Sequence, residues 1–186
     1  MLFDKIKTRR AVYPTAYAEE PISKEEIQKL LEAANWAPTH RRTEPWRFKV
    51  FQGNAKQKLA DFLVEKYKEN ASDPSPVKIR TTREKVMQSG AVIAICMQRD
   101  EKESVPEWEE VAAVAMAVQN MWLLTQDLNI GAYWSSPASI HQLQELIALG
   151  QGESCIGFFY LGKLKEKPTE GFRETSAESK TTWVKF

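Results

Sequence analysis

The sequence predicts an α+β fold in which helices cover a sheet, and three observations carry the prediction. Ala91–Met97 (A-V-I-A-I-C-M) is apolar without interruption, as a central strand covered on both faces must be. Trp46–Phe51 alternates apolar and polar residues, and Cys155–Leu161 (C-I-G-F-F-Y-L) is a second strongly strand-like run. Stretches of helical period separate them in the order helix, helix, strand, helix, helix, strand, long helix, strand, helix, strand, which fits an α+β or three-layer sheet–helix arrangement.

Taken in order, residues 2–10 read as a short helix with Leu2, Phe3 and Ile6 on one side, and Pro14 opens an extended segment. The next helix is sharply punctuated. Ser23 is its expected N-cap, Glu26 completes a capping box, and Ile22 can staple onto Ile27. Ile27, Leu30, Leu31 and Ala34 form its apolar face, and Pro38 closes it. After the strand at 46–51, Gly53-Asn54 turns the chain into a helix running to about Glu69, and a polar helix is expected over Lys78–Gln88.

The longest helix is expected from Pro106 to about Leu128, capped by Ser104. From Val111 to Leu124 it has no polar face, so it must be buried on all sides, in a large core or against another subunit. Gly131 is expected to permit the turn into the strand ending Trp134-Ser135-Ser136-Pro137. A helix over Ile140–Leu149 would then stop at Gly150. The charged tail beyond residue 162 carries two late apolar anchors, Trp183 and Val184. It is expected to be mobile or to cross onto a partner, within one domain spanning residues 1–186.

The chain has 186 residues, 42% apolar and 27% charged, enough for one domain with a sizeable core. Its 26 basic and 25 acidic residues leave a net charge of +1, which disfavours a nucleic-acid partner because such a footprint gathers one sign on one face. No apolar run reaches membrane-spanning length and the N-terminus lacks a signal-peptide core, so a cytoplasmic, non-membrane protein is expected. Cys96 and Cys155 lie in apolar runs and read as buried free thiols. His40 and His141 have no neighbouring ligands in sequence, so no metal site is expected.

The loop A-P-T-H-R-R-T-E-P-W (37–46) gathers hydroxyl, imidazole and guanidinium donors between two prolines. Such a set suits an anionic or polar planar ligand. Arg9-Arg10 forms a second cationic pair, and Trp134-Ser135-Ser136 could present backbone N–H groups and stack on a ring. Each has a plain structural alternative: a solvated helix end, a surface pair, a packed strand terminus. No phosphate-loop or dinucleotide fingerprint is present, because G-Q-G-E-S-C-I-G (150–157) lacks the third glycine and precedes a strand. No nucleophile–base set is legible either. A polar ligand loop without catalytic machinery suits a bound organic cofactor that carries the chemistry itself.

The N-terminal T-R-R-A, the helix ending in A-P followed by P-W-R-F, the N-I-G-A-Y-W-S-S closing the long helix and the final G-F-F-Y-L-G occur in an order that resembles the FMN-dependent nitroreductase family, in its small bacterial subgroup. The resemblance implies a three-layer α/β/α fold with a central mixed, mainly antiparallel sheet in an interlocked homodimer. It implies FMN as cofactor, NAD(P)H as co-substrate and a small electron-poor acceptor such as a nitroaromatic or quinone. It places Arg9, Arg10 and Ala11 on the FMN phosphate, ribityl chain or ring edge. Trp36 and His40 would approach the other subunit's flavin, and Trp134, Ser135 and Ser136 would line the ring. No side chain is expected to be obligately catalytic, with His40 the one candidate. Ala11, Arg42 and Glu44 stand where the family commonly has Ser, Asn and Gln. Lys163 and Lys180 are the candidates for a basic phosphate ligand after the last strand. Two rival readings remain: a flavoprotein of this fold with a different physiological reaction, or a non-catalytic dimeric module that has lost its flavin.

Overall fold

The computed structural model describes residues 1–167 and 171–186. Among these residues five α-helices, α1 (Leu2–Thr8), α2 (Lys24–Asn35), α3 (Asn54–Asn70), α4 (Pro76–Met87) and α5 (Glu107–Leu124), surround four strands, β1 (Trp46–Phe51), β2 (Ala91–Gln98), β3 (Ile130–Ser135) and β4 (Glu153–Lys163). The strands form one sheet in the order β1-β2-β4-β3. All three pairings are antiparallel, so among the described residues the sheet lacks the parallel component expected of a mixed sheet.

The alternation of β2 builds the layers. Ala91, Ile93, Ile95 and Met97 face a core shared with α2 and α5. Val92, Ala94 and Cys96 face a second core with α3, α4 and the 3-10 segment Ala138–Glu145. Both faces are thus covered by helices, the three-layer α/β/α arrangement expected, and β2 is sealed by its own chain. Cys96 and Cys155 are free and buried, opposite one another across β2 and β4.

Local signals set the element ends. Ser23 Oγ accepts from Glu26 N at 3.1 Å while Glu26 Oε2 accepts from Ser23 N at 3.0 Å, a complete capping box. The same Glu26 reaches Lys163 Nζ through its other oxygen, tying the start of α2 to the end of β4.

Three expectations are corrected. The turn into β3 is made by Asn129, at φ +53°, because an Asn tolerates the left-handed region. Gly131 lies inside β3, where a Cβ would come within 2.7 Å of Leu164 and 2.9 Å of Tyr17. Ser104 does not cap α5: its N–H and hydroxyl turn back to the Asp100 carboxylate, and Pro106 holds the N-cap position with no side-chain cap. The helix expected to end at Gly150 is a 3-10 segment ending at Glu145, and Gly150 instead donates its N–H to Glu153 Oε2 at 2.8 Å in the turn before β4.

The long helix was expected to be buried in a large core or against another subunit. Ala113, Val114, Ala117, Val118 and Met121 are buried, but Trp108, Val111 and Met116 are 69%, 37% and 40% exposed. The chain covers only one side of α5. The tail from residue 171 is exposed throughout, Trp183 and Val184 included, and residues 168–170 of the segment expected to move or cross lie outside the described residues.

Candidate functional site

Tyr17 fixes the N-terminal arginines. Its ring lies on the Gly162 backbone so closely that a Cβ there would sit 2.1 Å from Tyr17 Cδ2, and its hydroxyl donates to Val12 O at 2.7 Å. Val12 N in turn donates to Ala132 O at 2.9 Å. The segment between α1 and Tyr17 therefore runs against β3, with Ala11 exposed and Arg9 and Arg10 beside the C-terminal end of α5. The Arg9 guanidinium lies 4.5 Å from the Trp122 ring centre, a cation–π contact, and Trp122 Nε1 donates to Arg10 O at 3.2 Å.

These residues open onto a cleft of ≈ 310 Å³, lined also by Thr8, Gln126, Gly131 and Lys167. Burial, then the nearby Arg173 and Arg10, push the Arg9 pKa down from its ordinary value. Neither Arg9 nor Arg10 has a carboxylate partner among the described residues; Arg10 Nε donates only to Thr8 O, at 3.1 Å. A cluster of mutually repelling cations with no counter-charge among the described residues is suited to a multiply charged oxyanion.

Lys167 and Arg173 escaped the sequence reading, which named Lys163 and Lys180 instead. Lys163 is buried and engaged by Glu26 and Leu128 O, and Lys180 is exposed on the tail. The signal available in sequence was only that basic residues follow β4, without which of them folds back.

The other sequence-predicted residues lie elsewhere on the chain. Trp36, at the C-cap of α2, is 79% exposed and held only by Nε1 donating to Glu32 Oε1 at 2.8 Å. His40 Nδ1 pairs with Glu109 Oε2 at 2.6 Å at the start of α5, beside a shallow apolar groove that includes Trp108 and Met116. The loop after His40 is strained: Arg41, Arg42 and Glu44 all have positive φ, at 51°, 58° and 43°. Glu109 and Trp122 stand thirteen positions apart on α5, about 20 Å at 1.5 Å per residue.

One chain therefore holds Arg9–Arg10 and His40 at opposite ends of the same helix and does not bring them together. Trp134 and Ser135 end β3, with Trp134 packed over Gly157 and its buried Nε1 without a partner. Ser136 Oγ donates to Ile156 O at 3.2 Å. Among the described residues no His, Cys, Asp and Glu cluster could hold a metal, and no helix is long and apolar enough to cross a membrane.

The family model named Nitroreductase family matches residues 6–163, from α1 to the end of β4. The chain belongs to the nitroreductase family. It is 27% identical over 171 residues to YfhC of Bacillus subtilis, named provisionally as an NAD(P)H nitroreductase, covering 90% of this chain and 87% of that one. A second relative named in the same provisional way, YdjA of Escherichia coli K12, is 25% identical over 147 residues, covering 78% and 79%. The nitroreductase-like family protein of Bacillus cereus superposes with a TM-score of 0.87 at 24% identity, over 100% of this chain and 97% of that one. A nitroreductase homologue of Desulfovibrio desulfuricans, solved in complex with FMN, superposes at 0.75 and 23% identity over 100% and 97%. The nitroreductase fold explains the order of elements and the three layers together.

Proposed function

We propose that this nitroreductase-family protein is a cytoplasmic FMN-dependent oxidoreductase. It transfers hydride from NAD(P)H to an electron-poor small molecule such as a nitroaromatic or quinone, in ping-pong order, as a homodimer with two shared sites. The observation that carries the reading is the cationic cleft at the C-terminal end of α5. Arg9 and Arg10, with Lys167 and Arg173 near them, offer the charge that a phosphate dianion needs, and among the described residues no carboxylate pairs with either arginine. The donor set thus fits the FMN phosphate, and the adjoining Ala11 and β3 backbone would flank the ribityl chain and ring edge.

Bound FMN would supply two-electron hydride chemistry, which no side chain of this protein can perform. The chain's own residues bind, orient and tune. Arg9 is braced on Trp122, and Arg10 is fixed through its backbone and the Thr8 carbonyl, so both cations are presented with little freedom left to lose. Trp134, Ser135 and Ser136 would close the ring side from the end of β3. The partner subunit's Trp36 and His40 would complete the site from across the interface, where the 20 Å separation within one chain no longer matters. The exposed stripe Trp108, Val111 and Met116 supports such an interface, because an apolar helix face of this kind is otherwise left in water. His40, oriented by Glu109, would be the group best placed to move a proton.

The first test is the visible spectrum of the purified protein and the identity of any released chromophore. Near-stoichiometric FMN, bleached by NADH or NADPH, is the expected result; a protein that stays colourless after incubation with FMN would refute the reading. Arg10→Ala should weaken FMN binding about 10- to 100-fold, the worth of hydrogen bonds to a charged group. Unchanged FMN affinity in that variant would remove Arg10 from the site.

A further inference from the structure

On the opposite face of the sheet from α5, a second cavity of ≈ 200 Å³ opens between α3, α4 and the 3-10 segment Ala138–Glu145. It shares no lining residue with the Arg9–Arg10 cleft. Lys66, Lys78 and Lys85 line it, with Tyr67, Thr82 and Ser139. Lys66 is neutralised by Glu69 and Glu145, at 2.7 and 2.6 Å.

The other two lysines have no such partner. Among the described residues neither ammonium forms an ion pair or a hydrogen bond; each only faces a ring, Lys78 that of Tyr67 at 5.0 Å and Lys85 that of Tyr160 at 5.3 Å. Lys85 is partly buried, and both its burial and the charge of Lys78 disfavour its protonated form. A chain gains nothing in stability from a partly buried ammonium group without a counter-charge, and the exposed Lys78 ammonium lines the same small cavity. A dianion seated there would supply the missing counter-charge and acceptors.

We propose that this cavity binds a small phosphate group between Lys85 and Lys78, with the Thr82 and Ser139 hydroxyls as neutral donors. Two ammonium groups match a dianion better than a single carboxylate. The volume lies below the roughly 300–1,000 Å³ of sites for larger organic ligands, so the ligand is inorganic phosphate or a short phosphate monoester rather than a nucleotide. Because Pro137, Ala138 and Ser139 line the cavity and directly follow Ser135 and Ser136, its occupant would brace the chain next to the proposed flavin site.

The test is thermal unfolding of the flavin-loaded protein while sodium phosphate replaces sodium chloride at constant ionic strength. At phosphate about fivefold above its dissociation constant, Tm should rise by about 2–4 °C. The rise should persist in Arg10→Ala, which separates this cavity from the flavin cleft, and vanish in Lys85→Met. An undiminished rise in Lys85→Met, no rise in the wild type, or a rise lost in Arg10→Ala would each overturn the proposal. Phosphorus NMR titration of Lys78→Gln, a change at an exposed position, gives a second readout. Binding should weaken about two- to fivefold, and unchanged affinity would overturn the proposal even if Lys85→Met fails to fold. Repeating the titration with glycerol phosphate distinguishes a bound ester, if it binds more tightly, from the free ion, if it does not.

Discussion

β2 and the Val111–Leu124 part of α5 are both written in almost unbroken apolar residues, yet the chain covers only the first. In β2 every residue from Ala91 to Cys96 is wholly buried, because α2 and α5 lie on one face and α3 and α4 on the other. In α5 the face toward α2 and the sheet is buried, while Trp108, Val111 and Met116 form a stripe in the open. The same sequence signal therefore has two structural outcomes, one enclosed within the chain and one that leaves a face open. Only the position of an element among its neighbours tells them apart.

The comparison is most strongly challenged from the sealed side. Ile95→Ala should cost about 2–5 kcal/mol in urea unfolding, since the sheet has helices on both faces and cannot collapse onto the cavity. A loss below 1 kcal/mol would mean that β2 is less tightly enclosed than its burial indicates. On the open side, Met116→Glu should leave the fold intact but weaken self-association at least 100-fold, because it places an unpaired charge in the proposed interface. Light scattering that shows the same assembly mass in the variant and the wild type would contradict an interface on this stripe.

A third test concerns the join between helix and sheet rather than either face. Glu26 is desolvated, which alone would raise its pKa, but Lys163 and the Ser23 N–H hold it below the usual carboxylate value. A depressed folded-state pKa means stability that is present above the unfolded-state value and is lost as pH falls through the folded one. Glu26→Gln should therefore cost about 1–3 kcal/mol at neutral pH and flatten the acid limb of the stability curve below about pH 4.5. An acid limb identical to the wild type would exclude this contact. The smallest effect is expected at the strained loop: Arg42→Asn should raise stability by about 0.5–1 kcal/mol, because Asn accepts φ near +58° more readily. A destabilised variant would show that the Arg42 side chain makes a compensating interaction.

What was legible in sequence was mostly what is local. The capping box at Ser23 and Glu26 needs four residues and no tertiary information, and it is present as read. The apolar run of β2 announces its two-sided cover for the same reason. Asn129 was passed over for Gly131 because glycine is the commoner left-handed residue, whereas Gly131 is required by the approach of Tyr17 and Leu164 from distant parts of the chain. Lys163 was a candidate phosphate ligand until Glu26, more than a hundred residues away, proved to hold it. The positive φ values of Arg41 and Arg42 had no signal at all, since Arg is not a residue whose presence marks that conformation.

Under the proposed function, the contact between Tyr17 and Gly162 makes cofactor affinity tunable from a residue that carries no charge and lies outside the proposed ligand set. Tyr17 acts as a fulcrum: its hydroxyl anchors Val12, three residues from Arg9, and its ring rests where Gly162 has no side chain. Any Cβ at position 162 would tilt that ring and swing the two guanidiniums on a short lever. In a binding assay, such a substitution would read like the loss of an arginine.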